Sequence, residues 1–316
     1  MPVPLHTQAV IAFIWDFDRT LIPDNMQTPI FEEYRVDEAV FWDEVDGLVD
    51  WHRERGELID RDGAYLLHLL TYVEAGIFEG LTNAKLRELG GKLEPCPGIP
   101  DFLQTARRMV QEVPLFAKEG VTVEHYVVST GLLPMIEGSP VAPHLDGIWA
   151  NAFVEHTAPP GYRQRLPDVA PSGPIRHLGH FIGHTTKTRA LFEINKGVNH
   201  DPQIDVNARM SEAQRRVPLR NMIYIADGPS DVPVMSILNQ NGGKTLGVYN
   251  LEPRSNHKQV KQLQDQGRVQ SMAEADYRPG KAAYLWLVDS LEQIAHEIVE
   301  NRRLALAAIK NPPGHV

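Results

Sequence analysis

Cysteine is nearly absent from this chain of 316 residues, in which Cys96 is the single example. One cysteine cannot form an intramolecular disulfide, so the disulfide-stabilised scaffolds of small secreted proteins are excluded. Cys96 lies in the sequence Glu-Pro-Cys-Pro-Gly, which is typical of a hinge. We interpret it as a linker residue rather than as a reactive thiol.

The chain also lacks a long apolar run and an excess of positive charge. No stretch reaches the ~20 residues that a membrane-spanning helix needs, and the N-terminus has no basic region followed by an apolar core, as a signal peptide would. The formal net charge of −10 argues against a nucleic-acid-binding or anionic-membrane surface, although a local basic patch is compatible with it. We therefore expect a cytoplasmic protein with no nucleic-acid and no membrane partner.

Residues 10–20, with the sequence Val-Ile-Ala-Phe-Ile-Trp-Asp-Phe-Asp-Arg-Thr, are the stretch around which the rest of the chain is organised. The short apolar run predicts a buried β-strand. Asp16 and Asp18 follow at its carboxyl end, which is where open α/β sheets place their chemistry. Phe17 points to the other side, because side chains alternate along a strand.

Two carboxyl groups at this position are suited to covalent and acid–base chemistry. One carboxylate can attack an electrophile, while the second moves a proton on and off the leaving group. Their repulsion favours a proton on the second group, and a divalent cation would relieve it. The alternative is a solvated polar turn in which Asp18 and Thr20 are turn and cap residues, and this stretch alone does not decide between the two.

Residues 30–92 carry helical patterns and no strong strand signal. Apolar residues recur at three- and four-residue steps in two stripes, and we expect both stripes to lie in the core. The stripes are Phe41, Val45, Leu48 and Trp51, and Leu66, Leu67, Leu70, Val73 and Ile77. A third helix is expected from Thr82 to Gly90-Gly91. The segment is interpreted as a small helical domain inserted after the first strand.

After residue 97, helical and strand patterns alternate, which predicts a parallel sheet with helices on both faces. Strands are expected at residues 125–131, 147–153, 221–227 and 242–249. Helices are expected at residues 101–112, after Thr185 or Thr186, and at 200–216, 232–239 and 283–309. Residues 156–184 are rich in Pro, Gly and His and predict irregular structure.

Polar residues suited to binding phosphate follow the second strand. Ser129 offers a hydroxyl, and Thr130 and Gly131 offer backbone N–H groups, although Ser129 could equally begin a turn. Lys187 falls in the first turn of a predicted helix, where the helix dipole disfavours a cation. That position hints at another role, while a surface lysine is the simpler interpretation of this residue alone.

A later strand ends in Asp227-Gly-Pro-Ser-Asp231. Its two acids could face the strand end that carries Asp16 and Asp18, or they could form an Asp-Gly turn and a helix cap. His177, His180 and His184 could be considered as a transition-metal site. No carboxylate accompanies the histidines and two glycines interrupt them, so we favour a solvated loop.

In chain order these motifs are Asp-x-Asp-x-Thr, apolar-Ser-Thr-Gly, a lysine, and apolar-Asp-Gly-x-x-Asp. The ordered set resembles the haloacid dehalogenase superfamily of phosphohydrolases over nearly the whole chain, and most of all its phosphoserine phosphatase branch. The resemblance implies an α/β fold with a Rossmann-like parallel sheet and an inserted α-helical cap domain. The core domain would comprise residues 1–22 and 97–316, and the cap domain residues 23–96.

The resemblance also implies roles for individual residues. Asp16 would be the nucleophile that accepts the phosphoryl group, and Asp18 the acid that protonates the leaving oxygen and then activates water. Mg²⁺ would be held by Asp16, the backbone carbonyl of Asp18 and Asp227, with Asp231 supporting the metal shell. The phosphoryl group would be bound by Ser129, Thr130, Gly131, Lys187 and Ser230.

The sequence departs from the family pattern at particular positions. Arg19 follows Asp18 where a small residue is common, and its side chain is long enough to reach the cap. Ser230 stands where serine-type phosphatases usually have asparagine, which changes one phosphate contact. The acid that reads the amino group of the substrate in the phosphoserine branch has no safe counterpart near Asn25, so serine specificity does not follow.

The predicted function is a Mg²⁺-dependent phosphomonoesterase acting on a small phosphorylated metabolite. A phosphotransferase that uses an acceptor other than water would need the same residues. A non-catalytic binding protein with this fold is a third alternative, against which the intact set of Asp16, Asp18, Lys187 and Asp227 argues. A homodimer through the C-terminal helix or the cap is compatible with the sequence.

Overall fold

The computed structural model describes residues 8–164, 172–251 and 254–310. Its strands are β1 (Val10–Trp15), β2 (Thr122–Leu132), β3 (Gly147–Val154), β4 (His177–His180), β5 (Met222–Ala226), β6 (Lys244–Tyr249) and β7 (Ser271–Glu274). They form one sheet in the order β4-β3-β2-β1-β5-β6-β7. Neighbouring strands are parallel except for β3 with β4. The prediction of a parallel sheet is confirmed, with one antiparallel edge strand.

Helices fill the connections between these strands. The segment predicted as a cap contains α1 (Thr28–Tyr34), α2 (Glu38–Arg53), α3 (Ala64–Glu74) and α4 (Asn83–Gly90). The rest of the described chain contains α5 (Asp101–Glu112), α6 (Pro114–Lys118), α7 (Leu133–Gly138), α8 (Lys187–Lys196), α9 (Val232–Gln240), α10 (Arg254–Asp265) and α11 (Ala282–Lys310). None of the helices in the described residues combines the length and the apolar character needed to span a bilayer.

The central strand β1 supplies side chains to both faces of the sheet. Phe13 and Trp15 pack in one hydrophobic cluster with residues of α5, α7, α11 and the cap. Ala12 and Ile14 pack in a second cluster with residues of α8 and α9. A strand buried on both faces reads as a continuous apolar run, which is why the sequence of β1 shows no alternation of polar and apolar residues.

The register of the sheet brings the ends of three strands together. Trp15 of β1 lies opposite Val127 of β2 and Ile225 of β5. The strands are parallel, so the residues that follow them lie at the same edge of the sheet. This edge carries all of the strand-end motifs that the sequence pointed to.

The segment predicted as a cap is joined to the rest of the protein by a close helix crossing. A Cβ placed on Gly90 of α4 would lie 2.1 Å from the carbonyl oxygen of Met135 in α7. A Cβ on Gly138 of α7 would lie 1.9 Å from the carbonyl oxygen of Arg87 in α4. The two backbones can approach this closely only because both positions are glycine. The domain boundaries at residues 22/23 and 96/97 stay a prediction.

The expectation that both apolar stripes of this segment lie in the core is wrong in part. Phe41 and Leu66 are buried, whereas Trp51 is 49% and Ile77 is 45% exposed. Trp51 lies about 80° around α2 from Phe41 at the 3.6 residues per turn of an α-helix, so it falls outside the inward face. Ile77 lies beyond the end of α3 at Glu74, where helical spacing no longer applies.

The prediction of a helix at residues 200–216 is also wrong. These residues form turns and one 3₁₀ turn at Glu212–Gln214. Lys196 holds the loop, because its Nζ donates to the carbonyl oxygens of Val206 at 2.5 Å and Ala208 at 2.7 Å. Few apolar residues lie in this stretch, so a helix there would have had little to bury.

No element was predicted where α10 and β7 lie, and β4 falls in the segment predicted to be irregular. Residues 165–171 of that segment lie outside the described residues, as do the first seven and the last six residues of the chain. The other predicted strands and the helices at 101–112, 232–239 and 283–309 are confirmed, with shifts at their ends.

Candidate active site

Asp16 lies directly after β1 and is 6% exposed. Its backbone N–H donates to the carbonyl oxygen of Ile225 at 2.9 Å, which continues the pairing of β1 with β5. The Nζ of Lys187 donates to Asp16 Oδ1 at 3.0 Å. Burial raises the pKa of Asp16 to about 6, although the ammonium group of Lys187 opposes this rise. The carboxyl group is therefore held in place by a lysine that favours its charged form.

Lys187 is the first residue of α8 and is completely buried. A cation is disfavoured both by burial and by the dipole at a helix N-terminus. Two carboxylates offset this cost, since Nζ donates to Asp16 Oδ1 at 3.0 Å and to Asp231 Oδ1 at 2.6 Å. Burial lowers the pKa of Lys187, but the two carboxylates outweigh it and raise the pKa above its ordinary value. The position that was unfavourable for a surface lysine thus belongs to a buried ion cluster.

Asp231 is completely buried behind this lysine. Its Oδ1 also accepts from the hydroxyl of Tyr224 at 2.5 Å, and its Oδ2 accepts from Ser230 Oγ at 2.7 Å. Both oxygens are therefore bonded to protein donors, and the arrangement orients Lys187. The predicted part of Asp231 in the metal shell stays a prediction, and this geometry favours the positioning of Lys187 instead.

Asp18 and Asp227 are the other two carboxyl groups at the sheet edge. Asp18 is half-buried, and its Oδ1 accepts from the backbone N–H of Met26 at 2.7 Å. Asp227 is 8% exposed, and its Oδ2 accepts from Asn256 Nδ2 at 3.1 Å. Burial, followed by the charge of Asp16, raises the pKa of Asp18 to about 7 and that of Asp227 to about 8. The charge of Asp16 thus repels both groups, and Asp18 and Asp227 hold protons more readily near neutral pH than Asp16 does.

The Ser129-Thr130-Gly131 motif lies within β2. Ser129 Oγ accepts from the backbone N–H of Gly131 at 3.0 Å, so this N–H is bonded inside the motif. A Cβ at Gly131 would lie 2.0 Å from Met26 Cε, so a larger residue there would require the Met26 side chain to move. Phosphate binding by these three residues stays a prediction.

A cavity of about 560 Å³ opens over the carboxyl end of the sheet. Among the predicted site residues, its walls include Asp16, Asp18, Thr130, Asp227 and Ser230. From the predicted cap they include Trp42, Val45, Val49, Arg61 and Tyr65. The structure thus brings five of the predicted site residues around one cavity, with the Lys187–Asp231 pair behind Asp16. Ser129 and Gly131 do not line this cavity.

The donor set at this cavity fits a Mg²⁺ ion that is held partly by water. In the described residues no group of three or more His, Cys, Asp or Glu side chains is arranged to hold a metal ion. Mg²⁺ does not need such a set, because it commonly binds one or two carboxylates and keeps several waters. Asp16 and Asp227 supply two oxygen-donor carboxylates whose mutual repulsion a divalent cation would relieve.

The three histidines considered as a transition-metal site make separate contacts. His180 Nδ1 lies 2.9 Å from the carbonyl oxygen of Ala150, with His177 on the same edge strand β4. His184 lies at the cavity wall. Its backbone N–H donates to Asp62 Oδ2 at 3.0 Å, and its Nδ1 lies 3.4 Å from Asp62 Oδ1. His184 therefore links the core to the predicted cap at the edge of the cavity.

This chain is similar to a known protein over most of its length. No family model matches the chain. A protein of Borreliella burgdorferi, described as an uncharacterized protein, is 37% identical over 289 residues, which are 89% of this chain and 96% of that protein. The chain belongs to the same family as that protein.

Solved structures identify the fold. The probable phosphoserine phosphatase from Vibrio cholerae matches 95% of this chain and 68% of its own, with 13% identity and a TM-score of 0.50. A HAD-family hydrolase from Salmonella enterica serovar Typhi matches 82% of this chain and 67% of its own, with 13% identity and a TM-score of 0.48. The chain shares its fold with the Vibrio cholerae protein. The resemblance drawn from the motifs is thereby confirmed at the level of the fold.

The sequence did not point to several residues that support the site. Tyr224 lies three residues before Asp227 in a predicted strand. A buried tyrosine hydroxyl needs a hydrogen-bond partner, and this requirement was the one signal in the sequence that could have identified Tyr224. Asn256 lies in the unpredicted helix α10. Tyr65 and Asn151 both donate to the carbonyl oxygen of Thr130. These contacts join distant segments of the chain, and no sequence pattern predicts them.

Proposed function

We propose that this protein is a Mg²⁺-dependent phosphomonoesterase that hydrolyses a small phosphorylated molecule through an aspartyl-phosphate at Asp16. One observation carries the proposal. The carboxyl group of Asp16 is bonded to the buried Lys187 and shares a cavity with the carboxyl groups of Asp18 and Asp227. A nucleophile, an acid and a carboxylate suited to a metal ion are thus within reach of one substrate.

The first step assigns the nucleophile. Asp16 would attack phosphorus, forming a bond between its carboxylate oxygen and phosphorus as the bond from phosphorus to the leaving oxygen breaks. Lys187 supports this role because it keeps Asp16 oriented and favours its charged form. Mg²⁺, when bound, would neutralise charge on the phosphoryl oxygens and on the carboxylates.

The second step assigns the acid and base. The pKa of Asp18 lies near 7, so this group can hold a proton at neutral pH and give it to the leaving oxygen. After that transfer, the same carboxylate can take a proton from the water that attacks the aspartyl-phosphate. The backbone N–H of Met26 fixes one oxygen of Asp18, which restricts the direction in which the proton is delivered.

The test is hydrolysis of an aryl phosphate with and without Mg²⁺. We expect turnover by the native protein that EDTA abolishes and that Asp16→Asn removes while the far-UV circular dichroism is unchanged. Asp265→Asn is the matched control, because Asp265 is exposed on α10 and its partner is the exposed Lys261. Native-level turnover by Asp16→Asn would contradict the proposal.

Product analysis distinguishes the alternatives that use the same residues. Release of inorganic phosphate in the presence of an added alcohol supports the phosphatase. Transfer of most phosphate to the alcohol would identify a phosphotransferase. Absence of turnover across a panel of phosphorylated metabolites would favour a non-catalytic binding protein.

A further inference from the structure

Arg19 occupies a backbone conformation that favours glycine. Its φ is 56°, in the left-handed region that a residue with a Cβ rarely adopts and that glycine adopts without strain. Asn250 Nδ2 donates to the carbonyl oxygen of Arg19 at 3.3 Å, and the N–H of Arg19 donates to the carbonyl oxygen of Asp24 at 3.4 Å. The turn therefore fixes this conformation, which glycine would adopt with less strain than arginine.

The side chain of Arg19 lies in the wall of the cavity and is half-buried. Within the described residues its guanidinium group makes no hydrogen bond and no ion pair. Arg19 follows Asp18 directly in the chain and lines the same cavity as Asp18. The guanidinium group is thus a cation in the wall of the cavity to which Asp18 also contributes.

This placement separates Arg19 from the groups that serve the phosphoryl group. Lys187 lies behind Asp16, on the side of the nucleophile. Asp18 is the group that contacts the leaving oxygen in the proposed function, so a cation beside Asp18 meets the leaving group. A cavity of about 560 Å³ has room for a leaving group with substituents of its own.

We propose that Arg19 binds a second negative group, a carboxylate or a phosphate, carried by the leaving group of the substrate. The planar guanidinium group matches both anions through paired N–H donors. This inference rests on the proposed function and narrows it to phosphate monoesters that are anionic beyond the ester itself. It makes Arg19 a specificity residue rather than part of the phosphoryl-transfer machinery.

Arg35 offers a matched control for the backbone effect. It also has a φ of 56°, at the end of α1, and it is exposed and does not line the cavity. Arg19→Gly and Arg35→Gly therefore remove the same side chain from the same conformation. Only the first substitution removes a cation from the cavity.

The experiment compares KM for three Mg²⁺-dependent substrates of similar size. Ethyl phosphate has a neutral leaving group, phosphoglycolate carries a carboxylate, and ethanediol bisphosphate carries a second phosphate. We expect Arg19→Gly to raise KM about tenfold or more for one or both anionic esters, as the loss of charged hydrogen bonds would, and to leave ethyl phosphate within about twofold. We expect Arg35→Gly to change none of the three. Which anionic ester is affected identifies carboxylate or phosphate as the bound group.

Several results would overturn the inference and leave the phosphatase in place. These are equal losses for all three esters, no loss for any, or the same losses in Arg35→Gly. If the native protein hydrolyses no ester, the proposed function fails, and calorimetric binding of phosphoglycolate and ethyl phosphate tests Arg19 without turnover. A preference for phosphoglycolate that Arg19→Gly removes supports the inference, and absence of that preference contradicts it.

Discussion

The carboxyl groups of the site should make the metal-free protein less stable as the pH rises. Burial, followed by the charges of Asp16 and Asp231, raises the pKa of Asp227 to about 8. A carboxyl group with a higher pKa in the folded than in the unfolded state binds its proton more tightly when folded, so stability is lost as the proton leaves. At ~1.36 kcal/mol per pH unit, Asp227 alone lowers the free energy of unfolding by about 2–3 kcal/mol between about pH 6 and about pH 8.

A bound divalent cation should remove this loss. Mg²⁺ binds the deprotonated carboxylates, so its binding competes with protons and strengthens as the pH rises. A ligand that binds only the folded state stabilises it. The increase in the free energy of unfolding caused by Mg²⁺ should therefore be larger at about pH 8 than at about pH 6.

Urea denaturation followed by tryptophan fluorescence, in EDTA or in Mg²⁺, measures both effects across this pH range. His125 makes the protein more stable as the pH rises, which is the opposite effect. Burial lowers the pKa of His125 to about 3, so the folded protein lacks a proton that the unfolded protein holds below the ordinary pKa of histidine. Asp227→Asn keeps His125, so the difference between the two proteins isolates Asp227. Equal pH slopes for both proteins in EDTA, or equal stabilisation by Mg²⁺ at every pH, would refute the reasoning.

Three further predictions concern single residues. Asp18→Asn should lower kcat for an aryl phosphate by roughly 10²–10⁴-fold, the range for a positioned acid–base group, and a native rate would place proton transfer elsewhere. Asn256→Ala should weaken Mg²⁺ binding, measured by calorimetry, about tenfold or more, which is the size of effect that partners of metal ligands have. The reason is that Asn256 donates a hydrogen bond to Asp227 and orients it. An unchanged Mg²⁺ affinity would show that Asn256 does not orient Asp227 for the metal ion. Gly90→Ala should lower the free energy of unfolding by about 2 kcal/mol or more, because its Cβ would meet the backbone of α7. Gly47→Ala, in open space on α2, should instead raise it by about 0.5–1 kcal/mol, and similar changes in both would contradict the close crossing.

The strand ends could be predicted from the sequence because one local pattern determines them. An apolar run that ends in an acid predicts a strand with a carboxyl group at its end, whatever surrounds it in the sequence. The positions of Asp16 and Asp227 could therefore be predicted from the sequences of β1 and β5 alone. Their meeting at one sheet edge followed from the parallel topology. Lys187 was signalled by a local conflict, since a cation at a helix N-terminus needs a compensating partner.

The predictions that were wrong depended on contacts between distant segments. The inward face of α2 is set by the neighbouring helices it packs against, and Trp51, about 80° around the helix from Phe41, falls outside it. The stretch at 200–216 has residues compatible with a helix but follows the path that Lys196 imposes on it. Asn256 reaches Asp227 from a helix 29 positions away, a distance over which no sequence periodicity operates.

The most direct measurement for the central claim is rapid acid quenching of the native protein during turnover of a phosphate ester with Mg²⁺, followed by peptide mass mapping. The account predicts one phosphoryl group on the peptide that contains Asp16, and none on that peptide in Asp16→Asn. A quenched protein that turns over substrate but carries the phosphoryl group on another residue, or on none, would contradict the account.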